Sequence, residues 1–397
     1  MKFIHTSDWQ IGMTRAFLSQ EAAARYSQAR IDAIRALGQL AEEHDAQFMV
    51  VAGDVFESNQ LSAQTLSRAL DALNSVPVPV FLLPGNHDPL DASTIFRSKA
   101  FKDQAREHII VLTDSTPIPV PGLANVEVVG APWFSKRPAA DLCAQALKTL
   151  ESAPGVTRIL LGHGQVDSLS PDQSQPGVVS QARLEQALAD GQVHYVALGD
   201  RHSLTNVGNS GRLCYSGTPL VTDFDEVDPN KALLVELAND TCTLTPLNTG
   251  FWEFQALQRD INAPEDLAAF AQWLDAIRGK ECTVLKVGFT GSVNLALAAE
   301  LDALLEAQSH VFASLKRRER TTDLAVIPDA LDDNAIALSG YADATWKALL
   351  AQAATDDTAT DALRLMYRLA GGAASEMKGP GSEKGGRRQR RKQGSQR

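Results

Sequence analysis

Residues 80–89 read VFLLPGNHDP and join a short apolar run to a polar cluster. Four consecutive apolar residues are typical of a β-strand that is buried on both faces. Gly85 allows a sharp turn directly after the run, and Asn86, His87 and Asp88 follow at once. The stretch therefore predicts a buried strand that delivers an amide, an imidazole and a carboxylate to one edge of a sheet.

The same arrangement recurs at four other places in the chain. The apolar runs lie at residues 3–4, 48–52, 159–161 and 195–198. The polar residues that follow them are Asp8 with Gln10, Asp54, His163, and Asp200 with His202. Functional groups of open α/β sheets collect beyond the carboxyl ends of the strands, so we expect all five clusters to meet at one sheet edge.

Helical patterns separate the first strands and indicate the fold class. Ile31, Ile34 and Leu37 share one face of a predicted helix between the runs at 3–4 and 48–52. Alternation of strand and helix predicts an α/β layered domain. After residue 254 the pattern changes to a small α+β module, followed by two helices predicted at 341–354 and 357–369. From residue 371 the chain consists mainly of Gly, Ser, Lys, Arg and Gln, a composition that cannot build a core.

The charge is unevenly distributed along the 397 residues. The whole chain has a formal net charge of −11, with 37 Lys plus Arg against 48 Asp plus Glu. The stretch 378–397 holds eight basic residues and one acidic residue, which leaves −18 on residues 1–377. This acidic body excludes a simple basic protein that coats DNA, so any contact with nucleic acid must be local or assisted by cations. The four cysteines lack metal-site spacing, and we expect no signal peptide and no membrane span.

The predicted ligand types suit a pair of divalent metal ions. Carboxylates can bridge two ions, imidazole binds transition metals, and carboxamide oxygens complete a shell. Two such ions can clamp the attacking and leaving oxygens of a phosphoryl displacement and lower the pKa of the attacking water. The residues alone therefore favour a metal-dependent phosphoester hydrolase.

The order of these clusters resembles the calcineurin-like metallophosphoesterase superfamily. Residues 5–9 (HTSDW), 53–56 (GDVF), 83–89 (LPGNHDP) and 215–219 (YSGTP) are similar to the SbcD-type nucleases that repair DNA double-strand breaks. The likeness covers most of residues 1–250. It implies a sandwich of two mixed sheets flanked by helices, with a small α+β capping domain and C-terminal helices.

The resemblance also implies a role for each polar residue. One metal would be held by Asp8, Gln10, Asp54 and His202, and the other by Asp54, Asn86, His163 and Asp200. Asp54 would bridge the two ions. His87 would face the scissile phosphate and stabilise the transition state or protonate the leaving oxygen, and Asp88 would orient His87.

Two positions depart from the commonest pattern of the superfamily. Gln10 and Asp200 stand where histidines are usual. The replacements supply oxygen in place of nitrogen, so we expect a preference for Mn²⁺ or Mg²⁺ over Zn²⁺. The same two residues are also compatible with reduced or lost activity.

The resemblance further implies a domain organisation and partners. We expect a nuclease domain at 1–252, a capping domain at 253–330, a helical partner-binding segment at 331–370 and a disordered basic tail at 371–397. The partners would be DNA, an SbcC-type coiled-coil ATPase and a second copy of the chain. The location would be the cytoplasm, at the nucleoid when the protein is on DNA.

Two alternatives remain open at the level of sequence. The first keeps the fold but assigns cleavage of nucleotides or other small phosphoesters. The second is a catalytically weakened scaffold subunit that binds DNA ends, and Gln10 with Asp200 motivates it. Cleavage polarity and the balance of exonuclease and endonuclease activity are not encoded in these motifs.

Overall fold

The computed structural model describes residues 1–172, 175–238, 241–327, 338–353 and 355–376. The segments 328–337 and 377–397, which include the start of the expected partner-binding segment and most of the basic tail, lie outside the described residues. The strands are β1 (Lys2–Thr6), β2 (Phe48–Val51), β3 (Val80–Leu82), β4 (Ile109–Val111), β5 (Ile118–Pro119), β6 (Val126–Gly130), β7 (Thr157–His163), β8 (Tyr195–Gly199), β9 (Thr205–Asn206), β10 (Leu213–Tyr215), β11 (Lys231–Ala238), β12 (Thr241–Asn248), β13 (Glu253–Asp260), β14 (Thr283–Asn294), β15 (Ser314–Arg317) and β16 (Asp323–Ile327). The α-helices are α1 (Gln20–Glu43), α2 (Ala63–Asn74), α3 (Lys99–Gln104), α4 (Leu142–Thr149), α5 (Gln181–Ala189), α6 (Pro264–Ala276), α7 (Leu295–Ser309), α8 (Tyr341–Ala353) and α9 (Asp357–Glu376).

Two six-stranded sheets form the centre of the N-terminal part of the chain. The first sheet has the order β12-β11-β1-β2-β3-β4, and the second has the order β5-β6-β7-β8-β10-β9. In the first, β1 to β4 are parallel to one another, whereas β11 runs antiparallel to both β1 and β12. In the second, β6, β7, β8 and β10 are parallel, and β5 and β9 are antiparallel at the edges. Both sheets are therefore mixed, as expected from the sequence.

Alternate residues of each strand face two different cores. In β1, Phe3 belongs to the core between the sheets and Ile4 to the core beneath the helices. Phe3 contacts Tyr195 of the other sheet edge-to-face, with ring centroids 5.4 Å apart. Because both faces of β1 are covered, its two successive residues Phe3 and Ile4 are both apolar.

Helices cover the outer face of each sheet. Residues Ile31, Ile34 and Leu37 of α1 pack with Leu70 of α2 against the first sheet. The Ser19 side chain caps the start of α1 by accepting a hydrogen bond from the backbone N–H of Ala22 at 3.2 Å. On the second sheet, α4 and α5 contribute Cys143, Ala146, Leu147, Leu184, Ala187 and Leu188. The layers are helix, sheet, sheet and helix, which confirms the predicted α/β sandwich.

The chain divides into two compact units. The first contains Met1–Ala256, Gly279–Leu285 and His310–Leu315, and the second contains Leu257–Arg278, Lys286–Ser309 and the described residues from Lys316 onward. The chain first passes from the first unit to the second after Ala256. All the polar clusters found in the sequence lie in the first unit.

The second unit has its own small core. Its strand β16 runs parallel to the end of β14, and Phe270 of α6 contacts Phe289 edge-to-face at 5.4 Å. Helix α8 packs against α9, where Trp346 and Leu363 are each 1% exposed. Helix α9 runs to Glu376, past the boundary at 370 expected from composition. No helix among the described residues is long and apolar enough to cross a membrane.

Candidate metal centre

The five polar clusters meet at one end of the two sheets. Asp8 and Gln10 follow β1, Asp54 follows β2, and Asn86 follows β3 of the first sheet. In the second sheet His163 ends β7, and Asp200 with His202 follows β8. Because the sheets pack face to face, the carboxyl ends of their parallel strands bring both sets of side chains together.

Three buried residues form the middle of the cluster. Asp8, Asp54 and His163 each offer a ligand atom within 4.8 Å of the other two. Asp54 Oδ2 lies 3.4 Å from His163 Nε2. Two carboxylates and an imidazole at this spacing are a donor set that fits a divalent cation.

The remaining predicted ligands lie on two sides of this trio. On one side, His202 Nε2 is 3.7 Å from Asp8 Oδ1 and 3.3 Å from Gln10 Nε2. On the other side, His163 Nε2 is 2.8 Å from Asn86 Oδ1 and 3.9 Å from Asp200 Oδ1. The structure thus brings all seven residues together around the buried trio.

The hydrogen bonds of His163 direct its Nε2 atom toward oxygen atoms of the cluster. Its Nδ1 lies 2.9 Å from the backbone oxygen of Ala52, so Nδ1 carries a proton and donates it. Nε2 then points at the Asn86 oxygen and the Asp54 carboxylate. Burial lowers the pKa of His163, but the carboxylates of Asp54, Asp8 and Asp200 outweigh it and raise that pKa well above its usual value. The position therefore demands a positive charge, which a metal ion would supply in place of the proton.

The pKa values of the three carboxyl groups are also shifted by burial and by their charged neighbours. Burial is the main cause that raises the pKa of Asp8 and of Asp200 above the usual range. Burial would also raise the pKa of Asp54, but the adjacent His163 imidazolium outweighs it and lowers that pKa. Three clustered carboxylates repel each other unless cations lie between them.

Gln10 supplies a further sign that the site fits a metal. Its side chain is 3% exposed, and its Oε1 is buried without a hydrogen-bond partner. An unpaired buried acceptor is costly, whereas a neutral amide oxygen is a normal ligand of a hard cation. The amide in place of the usual imidazole is therefore compatible with metal binding.

Four of the predicted ligands adopt a left-handed backbone. The φ angles are +54° at Asp8, +44° at Gln10, +53° at Asp54 and +98° at Asp200. Such angles are unfavourable for residues with a Cβ and are found where the surroundings impose them, often at functional sites.

Two glycines leave room for predicted ligand side chains at the site. A Cβ at Gly53 would collide with Nδ1 of His163, and a Cβ at Gly85 would collide with Oδ1 of Asp54. Gly53 also has a φ of +98°. Both positions require glycine because ligand side chains fill the space beside them.

The Asp88 carboxylate contacts the backbone of two loops and not the His87 ring. Its two carboxylate oxygens accept hydrogen bonds from the backbone N–H groups of Phe56 at 2.9 Å and Gly85 at 2.8 Å, so Asp88 ties two loops together. Burial, followed by the Asp54 charge, raises the pKa of Asp88 to about 7. His87 is oriented instead by Glu57, whose backbone oxygen lies 3.0 Å from His87 Nδ1.

His87 is placed at the open side of the cluster. Its side chain is 36% exposed, and its Nε2 lies 4.0 Å from Asp54 Oδ2. Its backbone N–H donates to Asp54 Oδ1 at 2.9 Å. The ring therefore lies beside the predicted ligands without belonging to the buried trio.

Glu226 contacts the predicted ligand His202 and was not singled out from the sequence. Its Oε1 lies 3.0 Å from Nδ1 of His202, and Thr222 hydrogen-bonds both side chains. Burial lowers the pKa of His202, but the bond to Glu226 and the charge of Asp8 outweigh it and raise that pKa. A carboxylate behind a histidine fixes the ring and increases its basicity as a ligand. Nothing in the sequence distinguishes Glu226 from its acidic neighbours Asp223 and Asp225.

The Glu226→Gln variant is expected to bind Mn²⁺ about 10–100-fold more weakly than the unaltered protein. Glutamine can still accept the proton of His202 Nδ1, so the loss isolates the carboxylate charge. Calorimetric titration of the metal-free protein with Mn²⁺ measures the effect. Glu107→Gln, an exposed change of the same type, is the control. Equal affinities for the two variants would contradict the role of Glu226.

Comparison with known proteins places the chain in a family. The sequence profile of the calcineurin-like phosphoesterase family matches residues 1–230. The SbcD component of the SbcCD nuclease from Staphylococcus saprophyticus is 25% identical over 265 residues, which cover 61% of this chain and 67% of the relative. The SbcD component of the same nuclease from Escherichia coli K12 is 25% identical over 272 residues, which cover 60% of this chain and 66% of the relative.

Among solved structures, a dimetal phosphatase from Danio rerio matches with a TM-score of 0.41 and 12% identity, covering 63% of this chain and 96% of that one. The family profile spans more than half of the chain and contains every predicted ligand. The chain belongs to the calcineurin-like phosphoesterase family.

Proposed function

We propose that the protein is a metal-dependent phosphodiesterase that cleaves DNA at its ends during double-strand-break repair. The observation that carries the proposal is the convergence of two ligand groups on Asp54, one from each side of the buried trio. The SbcD relatives are named as subunits of a nuclease, which supports a nucleic acid as the substrate.

Two divalent ions would be held by the two groups. Asp8, Gln10, Asp54 and His202 form the first set, and Asp54, Asn86, His163 and Asp200 form the second. When bound, the ions supply polarisation of a phosphoryl oxygen and a lowered pKa of the attacking water. The chain's own residues fix the donors: Ala52 holds the His163 ring, and Glu226 with Thr222 holds the His202 ring.

His87 is proposed as the residue that acts on the substrate. Its Nδ1 is engaged by the Glu57 carbonyl, so Nε2 is the nitrogen left to face a phosphate. As an imidazolium it can donate a hydrogen bond from Nε2 to a developing negative charge or to the leaving oxygen. Its partial exposure permits this contact, whereas the buried His163 cannot make it.

We expect hydrolysis to be fastest with Mn²⁺, measurable with Mg²⁺ and slower with Zn²⁺. Five of the seven proposed ligands offer oxygen and two offer nitrogen, and oxygen-rich sites favour hard ions. Protein stripped with a chelator and reconstituted with each metal measures the order with bis(p-nitrophenyl) phosphate. Calcium serves as a control for a hard ion of larger radius. Maximal activity with Zn²⁺ would overturn the assignment.

The remaining parts of the chain are assigned by the same proposal. Residues 1–252 form the nuclease domain, 253–330 the capping domain, 331–370 the segment that binds an SbcC-type ATPase, and 371–397 a basic tail. Exposed apolar side chains on α8 and α9 support the partner-binding role, since Tyr341 is 90% and Leu369 64% exposed. The proposed assembly contains two copies of the chain and works in the cytoplasm, at the nucleoid.

One set of assays separates this function from its alternatives. Linear duplex DNA, single-stranded DNA and bis(p-nitrophenyl) phosphate are each incubated with Mn²⁺ and the protein. Cleavage of DNA supports the proposal. Cleavage of the small diester alone would favour a hydrolase of small phosphoesters, and binding of DNA ends without hydrolysis in any metal would favour a scaffold.

A further inference from the structure

Two cavities flank the candidate metal centre within the first unit. The larger has a volume of about 680 Å³ and the smaller about 320 Å³. Both are lined by Asp200 and Gln165, so these two residues stand at the boundary between them. The larger cavity also reaches Asn86, and the smaller one reaches His202. The cavities therefore lie on two sides of the metal centre, with Asp200 between them.

The two cavities carry opposite charge. Apart from the shared Asp200, the charged residues that line the larger cavity are Lys136 and Arg137, and we call it the basic cavity. The smaller is lined by Asp223, Asp225 and Glu226 against one cation, Arg201, and we call it the acidic cavity. A phosphate chain is attracted to the first and repelled by the second.

The cations of the basic cavity are available to a ligand. Lys136 and Arg137 are exposed, and neither forms an ion pair with a carboxylate in the part of the chain that the structure describes. By contrast, Arg201 in the acidic cavity donates its Nε–H to Thr205 Oγ1 at 2.9 Å. Residues 1–377 carry a net charge of −18. Two cations without an ion pair beside the predicted ligands are therefore a local exception to the acidic character of this part of the chain.

The loop that carries these cations is anchored to the metal centre. Trp133 begins it and is 8% exposed. Its indole N–H donates to the backbone oxygen of His163 at 2.9 Å, and its backbone N–H donates to Pro84 at 3.1 Å. Gly177, which also lines the cavity, packs closely against Pro138 of this loop. A Cβ atom at Gly177 would lie 2.5 Å from Cγ of Pro138. The basic cavity is thus fixed at a defined place relative to His163 and Asn86.

We propose that the basic cavity holds the polynucleotide strand on one side of the scissile phosphate, with Lys136 and Arg137 binding its backbone phosphates. This rests on the proposed function, because it assigns a substrate to the same metal centre. The acidic cavity disfavours a second stretch of polyanion on the opposite side. The scissile bond then lies near the end of the bound strand, with the longer part of the strand in the basic cavity.

The test is the double variant Lys136→Gln/Arg137→Gln in the full chain. With Mn²⁺, the ratio of kcat/KM for a single-stranded oligonucleotide to that for bis(p-nitrophenyl) phosphate should fall on the order of tenfold at low salt. The slope of log Kd for the oligonucleotide against log salt, measured by fluorescence anisotropy without metal, should drop by about 1.4, or 0.7 for each lost phosphate contact. The charge-conserving variant Lys136→Arg/Arg137→Lys should restore both values.

Lys148→Gln/Arg183→Gln makes the same change of charge at exposed positions of α4 and α5, outside both cavities. It should leave the ratio and the slope unchanged. An unaltered ratio in the Lys136/Arg137 variant, or equal loss on both substrates, would overturn the inference. If the unaltered protein cleaves neither substrate, the proposed function fails, while the anisotropy measurement still reports on the cavity.

Discussion

The Asp54→Asn variant is expected to lose phosphodiesterase activity by about 10³-fold or more, since a metal site contributes several kcal/mol of charge stabilisation. Asp54 belongs to both proposed ligand groups and is the carboxylate whose pKa is lowered by His163. Asparagine keeps the size of the side chain and can still accept the N–H of His87 through its oxygen. The substitution removes one negative charge from the middle of the site and little else.

The measurement is kcat/KM for bis(p-nitrophenyl) phosphate at saturating Mn²⁺, together with calorimetric Mn²⁺ binding. Asp45→Asn is a matched control because Asp45 is exposed and has a φ of +55°, close to the +53° of Asp54. The control should retain full activity and full metal binding. An Asp54→Asn protein that folds, binds two ions and hydrolyses the diester at the normal rate would refute the ligand assignment.

The His87→Ala variant is expected to lower kcat by about 10²–10⁴-fold, the range of general acid catalysis, with unchanged affinity for Mn²⁺. His87 lies beside the buried trio at 4.0 Å from Asp54 and is not assigned to either ligand group. Its removal should therefore affect the reaction and not the loading of metal. His310→Ala, at an exposed position of the first unit, is the control.

Two substrates distinguish the two roles of His87. The p-nitrophenolate group leaves without protonation, whereas the alkoxide of DNA needs a proton. A general acid therefore gives a larger loss with DNA than with bis(p-nitrophenyl) phosphate, and stabilisation of phosphate charge gives equal losses. Loss of metal binding in His87→Ala would contradict both roles.

The central strands could be predicted from sequence because burial on two faces makes them apolar without interruption. Phe48 to Val51 and Tyr195 to Leu198 are completely buried and are strands in the structure. The edge strand β12 was missed, since Pro246 interrupts its pattern and Leu247 is its single buried residue. Short helices such as α5 were missed for a related reason, because three buried residues give little periodicity.

The convergence of the predicted ligands could also be anticipated from sequence, because parallel strands end at a common edge. Their supporting partners could not. Asp88 was expected to hold His87, but its short side chain reaches the backbone of Phe56 and Gly85 instead. Glu57 and Glu226 contact the two histidines through turns that no pattern in a single sequence specifies. The chemistry of each side chain can be read from the sequence. Which side chains pair depends on how loops from different strands come together in the fold.

The left-handed backbone at Asp8, Gln10, Asp54 and Asp200 has a consequence for engineering this protein. Each such residue costs the folded chain on the order of 1 kcal/mol or more relative to glycine, which adopts these angles freely. A selection for heat resistance alone would therefore reward glycine at these four positions. It would remove the predicted ligands while increasing the stability of the fold. A more heat-resistant variant of this protein must therefore be selected for its metal content as well as for its melting temperature.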